Sequence, residues 1–411
     1  MDGFTPRLSG HALAMEVHRR LCPVFGCPIR YFNRLNPMEE LVSSYLNHRT
    51  KNRDARHAFD TLRGIARANG VDAVAIVPGA NFARLFGGHF MQHERPLLVL
   101  VPVEGTPAAL VPELELGPFG ALGLELDVFD WRDQGGYAPA FEAMLAGRPV
   151  GSIGVEGLLM RVFVDRALRA AVPGLQVTDL HRELSRVRLH KSGDEIRALR
   201  RAIAMSEAAL GETLDGVRVG MTEKAIEQRL VQALFAQGVE SLSFPPIVAA
   251  GGHSANPHAS ARDVAVRAGD ALLFDLGGRF DGLCADITRT VFVGHAEERH
   301  LAIHATVLAA NRAGVAAVAP GATAHAIDDA ATTVLEASPF AAHILTRTGH
   351  GLGREVHEDP YIMRGNHQVL APGMVFTVEP GLYVPGEIGV RIEDDVLVTG
   401  DGVESLTLFD R

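Results

Sequence analysis

From residue 53 onwards, apolar positions along the chain alternate between two periods, one helical and one extended. Phe59, Leu62, Ile65 and Ala66 recur at helical spacing, and Asn69-Gly70 supplies the stop. Val74–Val77 then reads as a buried strand. Leu97–Val101 and Ala109–Val111 predict two more, the first ended by Pro102, whose nitrogen cannot donate to a ladder. Gly151–Val155, a helix over 158–171 and a strand near Val177 continue the alternation, so residues 53–185 predict an α/β domain. Residues 1–52 lack this rhythm and are rich in Pro, Arg and His. They are read as an N-terminal extension of uncertain structure: a disordered arm, an extra helix, or sequence upstream of an alternative start at Met38.

A boundary is expected near Lys191, with a larger second domain over 186–411. Ser192-Gly-Asp-Glu195 is a capping box, in which the serine hydroxyl and the glutamate satisfy free N–H groups reciprocally. Ile196, Leu199, Ile203 and Leu210 then form one apolar stripe. A second helix is predicted from Thr222 to just before Gly238. Strands near Ala271–Leu276 and Asp286–Val293 precede helices over about 298–337.

In this half, acids interrupt strands whose other residues are apolar. Asp275 sits in Ala-Leu-Leu-Phe-Asp-Leu-Gly, Asp286 opens Asp-Ile-Thr-Arg-Thr-Val-Phe-Val, Glu379 interrupts Met-Val-Phe-Thr-Val-Glu-Pro, and Glu393 lies in Gly-Val-Arg-Ile-Glu-Asp-Asp-Val. Between them His350 is flanked by glycines in Thr-Gly-His-Gly-Leu-Gly. A carboxylate in a buried strand costs several kcal/mol unless its charge is compensated. Any one of these residues has a structural explanation, such as an ion pair or a turn cap. Together, four ionised carboxylates carry a charge that two divalent cations would neutralise; without cations each raises its neighbours' pKa. Oxygen-rich ligation with one imidazole suits Mn²⁺ first, with Co²⁺ or Zn²⁺ as alternatives. Period-two alternation places Thr288 on the face of Asp286 and Arg391 on the face of Glu393, where they can orient the acids.

Composition narrows the function classes. The formal charge of −10 and the absence of a clustered Lys/Arg stripe argue against nucleic acid as a partner. No apolar run approaches the roughly 18 residues of a membrane span, and the first residues lack a secretory pattern. Only Cys22, Cys27 and Cys284 are present, which points to a reducing, cytoplasmic setting and no disulfide framework. Cys284 is expected to be a packed side chain, and His300, His304 and His325 are expected at the surface.

These motifs resemble the proline-specific pita-bread metallopeptidases: Xaa-Pro dipeptidases (prolidases) and aminopeptidase P. The ordered set Asp275, Asp286, His350, Glu379, Glu393 matches the family's ligand order, within Asp286-Ile-Thr-Arg-Thr, Gly349-His-Gly-Leu-Gly353, Val356-His-Glu358, Val378-Glu-Pro-Gly-Leu-Tyr383 and Gly389-Val-Arg-Ile-Glu-Asp394. The resemblance is close over 190–411 and looser over about 53–180. It implies a C-terminal pita-bread (creatinase/aminopeptidase-like) domain after a smaller α/β domain. It also implies a dinuclear centre bridged by Asp286 and Glu393, with Asp275 on one metal and His350 and Glu379 on the other. His258 and His357 match the substrate-side histidines; His253, close by, is set aside because His258 carries the Pro-His context. Arg391 matches the arginine near the substrate, and Glu379 is the candidate proton shuttle.

The implied reaction is hydrolysis of the peptide bond preceding proline in dipeptides or short peptides, a dipeptidase being favoured over aminopeptidase P, in a homodimer. Two rivals stand beside it. Creatinase, ectoine hydrolase and a sulfonium-compound lyase resemble the family, so a non-peptidase hydrolase or lyase on this scaffold is one. A non-catalytic pita-bread binding module is the other.

Overall fold

The computed structural model describes residues 56–411. The readings made for residues 1–52, including Cys22, Cys27 and Met38, lie outside the described residues.

The first domain is built on a six-stranded mixed sheet. Its strands are β1 (Ala73–Ile76), β2 (Leu98–Pro102), β3 (Ala108–Pro112), β4 (Asp127–Trp131), β5 (Ser152–Val155) and β6 (Gln176–Asp179), in the order β4-β3-β2-β1-β5-β6. Side-chain alternation along β1 splits the core in two. Ala73 and Ala75 face Phe141 and Met144, while Val74 and Ile76 face Leu62 and Phe82 of helices on the opposite side. The helix over 56–68 ends at Asn69-Gly70, where Gly70 takes a positive φ of 65°. The predicted strands over 74–77, 97–101, 109–111 and 151–155 all form. Strand β4 escaped the sequence reading because it lies at the sheet edge with most of its residues exposed, so it carries no apolar run.

Glu156, the residue after β5, is a buried acid with an incomplete set of partners. It is 1% exposed; Oε1 accepts from Asn81 Nδ2 at 2.8 Å, and Oε2 has no partner among the described residues. Burial pushes its carboxyl up to about 7, against the opposing hydrogen bond from Asn81. Below about pH 4.5 the acid is protonated in both folded and unfolded chains. As pH rises to about 7 the unfolded chain releases this proton first, so stability falls across that window, by on the order of 3 kcal/mol. Glu156→Gln is therefore expected to raise the melting temperature strongly at pH 8 and little at pH 5. Equal shifts at both values would refute the assignment.

Two helices open the second domain. Gly193–Gly216 starts at the expected capping box: Ser192 Oγ accepts from Glu195 N at 3.3 Å, and Glu195 Oε2 accepts from Ser192 N at 3.0 Å. Glu223–Gln237 is capped by Thr222 and stopped by Gly238 in the left-handed conformation. Next come β7 (Ser241–Leu242), β8 (Ile247–Ala250), β9 (Ala271–Leu276), β10 (Gly278–Phe280), β11 (Leu283–Cys284) and β12 (Ile287–Phe292). The helices Glu298–Ala317 and Ala324–Glu336 precede β13 (Gly349–Gly351), β14 (Glu358–Ile362), β15 (Val375–Val378), β16 (Gly381–Val384), β17 (Ile388–Arg391), β18 (Asp394–Val398) and β19 (Val403–Ser405).

Strands β12-β9-β8 form one sheet, β14-β13-β15-β18-β19 another, and β16-β17 a hairpin. Antiparallel register sets Thr288 opposite Asp275 and Val378 opposite Asp394, so extending the second ladder by one residue brings Glu379 opposite Glu393. The backbone N–H of Glu393 donates to Thr288 O at 3.1 Å and joins the two sheets at the place where the acids converge.

Candidate metal centre

All eight residues selected from the sequence line one cavity of about 460 Å³: Asp275, Asp286, His350, Glu379, Glu393, His258, His357 and Arg391. Asp275 comes from within β9, Asp286 immediately precedes β12, His350 is the middle of β13, Glu379 follows β15, and Glu393 joins β17 to β18. The glycines beside His350 have a steric purpose. A side chain at 349 would run into the backbone carbonyl of Thr377, and one at 351 into that of Asp359, so β13 could not lie between its neighbours.

Asp286, His350 and Glu393 each present a ligand atom, all within 4.8 Å of one another. His350 Nδ1 lies 3.2 Å from Gly351 O, where it can only donate, which leaves Nε2 as the lone-pair nitrogen. That nitrogen is 3.0 Å from Glu379 Oε1 and 3.7 Å from Asp286 Oδ2. Lone pairs at such a separation repel unless a proton or a cation lies between them.

Three of the four acids, all but Asp286, are also steered by a donor. Thr288 Oγ1 donates to Glu393 Oε2 at 2.6 Å, Thr377 Oγ1 to Glu379 Oε1 at 3.2 Å, and Arg391 to Asp275 Oδ2. Asp275 Oδ1 is buried with no partner among the described residues. Burial first, and then Glu393 and Glu379 respectively, push the carboxyls of Asp286 and Glu393 well above the usual carboxylate range; Asp275 is raised by burial too. Glu379 moves the other way: burial opposes its ionisation, but the contact with the His350 ring, the charge of Arg391 and the Thr377 hydroxyl outweigh it. Buried acids that cannot all ionise on their own, one carrying an orphaned oxygen, form a donor set fitted to divalent cations.

Thr288 and Arg391 do orient acids of the site, but across strands and not along their own: Thr288 holds Glu393 where alternation suggested Asp286, Arg391 holds Asp275 where it suggested Glu393, and Arg391 Nε donates to Thr288 Oγ1 at 3.0 Å. Tyr383, to which the sequence reading gave no role, accepts from Arg391 Nη1 at 2.9 Å. Three of the five Arg391 N–H groups are thus engaged within the site wall, which leaves two directed elsewhere. The His357 ring packs edge-on to His350 with centroids 4.1 Å apart. Desolvation and the adjacent imidazole of His350 push it down to about 4, so it is neutral at pH 7.

The structure separates the two nearby histidines. His253 Nδ1 meets Glu223 Oε2 at 3.0 Å, away from the cavity that His258 lines. Cys284 is buried, and burial pushes its thiol up to about 11. The surface assignment of His300, His304 and His325 is corrected: all three are half-buried. His300 stacks on Phe292, His304 packs against the same ring, and His325 Nδ1 accepts from Gly365 N at 2.9 Å. Their polar helical neighbours concealed these contacts, which come from the end of β12 and from the loop at Gly365.

Residues 197–400 match the family described as Metallopeptidase family M24, and residues 59–190 match the Creatinase/Prolidase N-terminal domain. A probable dipeptidase PepE of Mycobacterium tuberculosis is 36% identical over 341 residues, covering 82% of this chain and 90% of that protein. An Xaa-Pro dipeptidase of Lactobacillus helveticus is 37% identical over 59% of this chain and 67% of its own length. Among solved structures, a prolidase from Pyrococcus horikoshii OT3 superimposes with a TM-score of 0.79 at 28% identity, over 86% of this chain and 99% of that one.

The chain belongs to metallopeptidase family M24, with a creatinase-type N-terminal domain followed by a pita-bread domain. It is an enzyme of that family, which sets aside the reading as a non-catalytic binding module. No helix among the described residues is long and apolar enough to cross a membrane.

Proposed function

We propose that this protein is an Xaa-Pro dipeptidase that hydrolyses the bond preceding a C-terminal proline with two divalent metal ions, Mn²⁺ first and Co²⁺ or Zn²⁺ as alternatives. One observation carries the reading: eight residues chosen from the sequence surround one cavity whose acids lack the positive charge to balance them. The dipeptidase names of the relatives favour this specificity over aminopeptidase P. Residues 186–411 are the catalytic domain, 53–185 the N-terminal domain and 1–52 an extension, in a cytoplasmic homodimer.

Asp275, Asp286 and Glu393 would hold one cation, and Asp286, Glu393, His350 and Glu379 the other. Bound there, the cations would polarise the scissile carbonyl and make a water acidic enough to ionise near neutrality. Glu379, on the cavity wall, would be the base that takes a proton from the attacking water. His357 and His258, on the cavity wall, donate hydrogen bonds toward the carbonyl oxygen as it gains charge. The proline nitrogen carries no hydrogen in the peptide and must be protonated as it leaves, a proton that Glu379 returns. The two free N–H groups of Arg391 are suited to a terminal carboxylate.

The test compares Ala-Pro and Leu-Pro with Ala-Pro-Ala, with Mn²⁺ and after chelation, alongside metal analysis. Cleavage of the dipeptides alone, lost on chelation and restored by Mn²⁺ at two ions per chain, is the expected result. Preferred cleavage of the tripeptide would assign an aminopeptidase. Turnover of a C–N or C–S lyase substrate with no proline dipeptide cleaved would overturn the peptidase reading.

A further inference from the structure

His357 lies in a short irregular segment ahead of β14, and the residues on either side of it are tied to something outside the catalytic strands. Arg188, in the link between the two domains, is only 5% exposed. Its Nη1 donates to Glu358 Oε2 at 2.6 Å, its Nη2 pairs with Glu355, and its Nε donates to Asn81 Oδ1 at 2.9 Å. Both acids flanking His357, two residues before and one after, therefore end on a single guanidinium. Lys191 Nζ adds a bond to Glu358 Oε1 at 2.7 Å. Asn81 belongs to the first domain, where Glu156 Oε1 holds its amide. A continuous polar chain runs from the N-terminal sheet, through the link, to the segment that carries His357.

We infer that Arg188 is the positioning residue for His357, so that the link between the domains, and not the catalytic strands alone, sets where this imidazole stands over the metal centre. The inference rests on the role given to His357 in the proposed function. A planar fork fits this arrangement, because one Arg reaches two carboxylates and an amide oxygen at fixed angles, which the single nitrogen of Lys cannot do. Gly353 contributes room, because a side chain there would meet both Lys191 and Glu358.

The test is a double-mutant cycle of Arg188→Met and His357→Ala on the full metal-loaded enzyme. It reads kcat and KM on Ala-Pro together with bound metal. Arg188→Met is expected to lower kcat/KM by about 10–100-fold, the size usual when a group that orients a functional side chain is removed. Metal content should be unchanged. In the His357→Ala background the same change should cost less than about twofold. Arg188→Lys should recover only part of the loss. Multiplicative losses in the double variant would overturn the inference, since Arg188 would then act on the protein generally.

A second readout is independent of catalysis: histidine ring resonances of ¹³C-labelled protein. In Arg188→Met the His357 signals should move while those of His258 stay. Unmoved His357 signals would overturn the inference. If His357→Ala proves catalytically silent while the resonances move, the positioning stands and the role of His357 in the reaction falls. Should Arg188→Met fail to fold, Glu355→Gln removes one of the two ties and should give smaller changes of the same kind. The absence of any such change would refute the inference.

Discussion

Glu379→Gln is expected to lower kcat by about 10²–10⁴-fold, the usual contribution of a positioned proton-transfer group, with the fold intact. Glutamine keeps the size and the oxygen that accepts from Thr377 Oγ1, so the packing after β15 has no reason to change. What it loses is the negative charge and the basic oxygen. Glu379 is the acid of this cluster whose ionised form is favoured, because His350 and Arg391 outweigh its burial, whereas Asp286 and Glu393 are pushed upward. Single-turnover kinetics at saturating Ala-Pro, with metal content measured beside them, check the assignment. Turnover within a few-fold of the native enzyme at full metal loading would end the shuttle role. A fall in turnover matched by an equal fall in bound metal would assign Glu379 as a ligand alone.

The sequence exposed the chemistry of this site more readily than its support. A charge inside an apolar strand contradicts its surroundings, so Asp275 and Glu379 declared themselves at once, and the glycines around His350 marked a strand squeezed between two others. The capping box at Ser192 and the stop at Gly238 were equally readable, because each is a local event spanning a few residues. Strand β4 was missed since its exposed edge carries no apolar signal. Arg188, Asn311 and Arg289 were passed over for a different reason. Their partners lie far along the chain, as with Glu358 for Arg188 and Val378 for Asn311, and an arginine or asparagine looks the same in sequence whether buried or solvated. Local pattern shows what a site holds, while long-range hydrogen bonds decide how it is held.

Arg289→Met should destabilise the folded protein by about 3–5 kcal/mol, the cost of stripping one partner from a buried ion pair. Arg289 is only 2% exposed and uses all five of its donors. Nε reaches Asp410 O at 2.9 Å, Nη1 reaches Thr288 O at 2.9 Å and Glu393 O at 2.5 Å, and Nη2 reaches Phe409 O at 2.8 Å and Asp394 Oδ1 at 2.9 Å. One side chain thereby joins β12, the residue bearing the Glu393 carboxylate, and the C-terminal segment. Methionine fills similar space but leaves the buried Asp394 to Asn311 and the partly exposed Arg411, and it strands several carbonyls without donors.

The internal control is Arg299→Met. That arginine pairs with Glu387 while 52% exposed, so its loss should cost less than about 1 kcal/mol. Urea unfolding of both variants with Mn²⁺ present, at unchanged m-value, measures the difference. Arg289→Lys should recover less than half of the deficit, because a single ammonium cannot reproduce five directed bonds. Metal affinity should fall with Arg289→Met as well, since the Glu393 carbonyl loses its anchor while its carboxylate keeps Thr288. If the buried and exposed substitutions proved equally mild, Arg289 would be a spectator and the ligand strands would be held by their ladders alone.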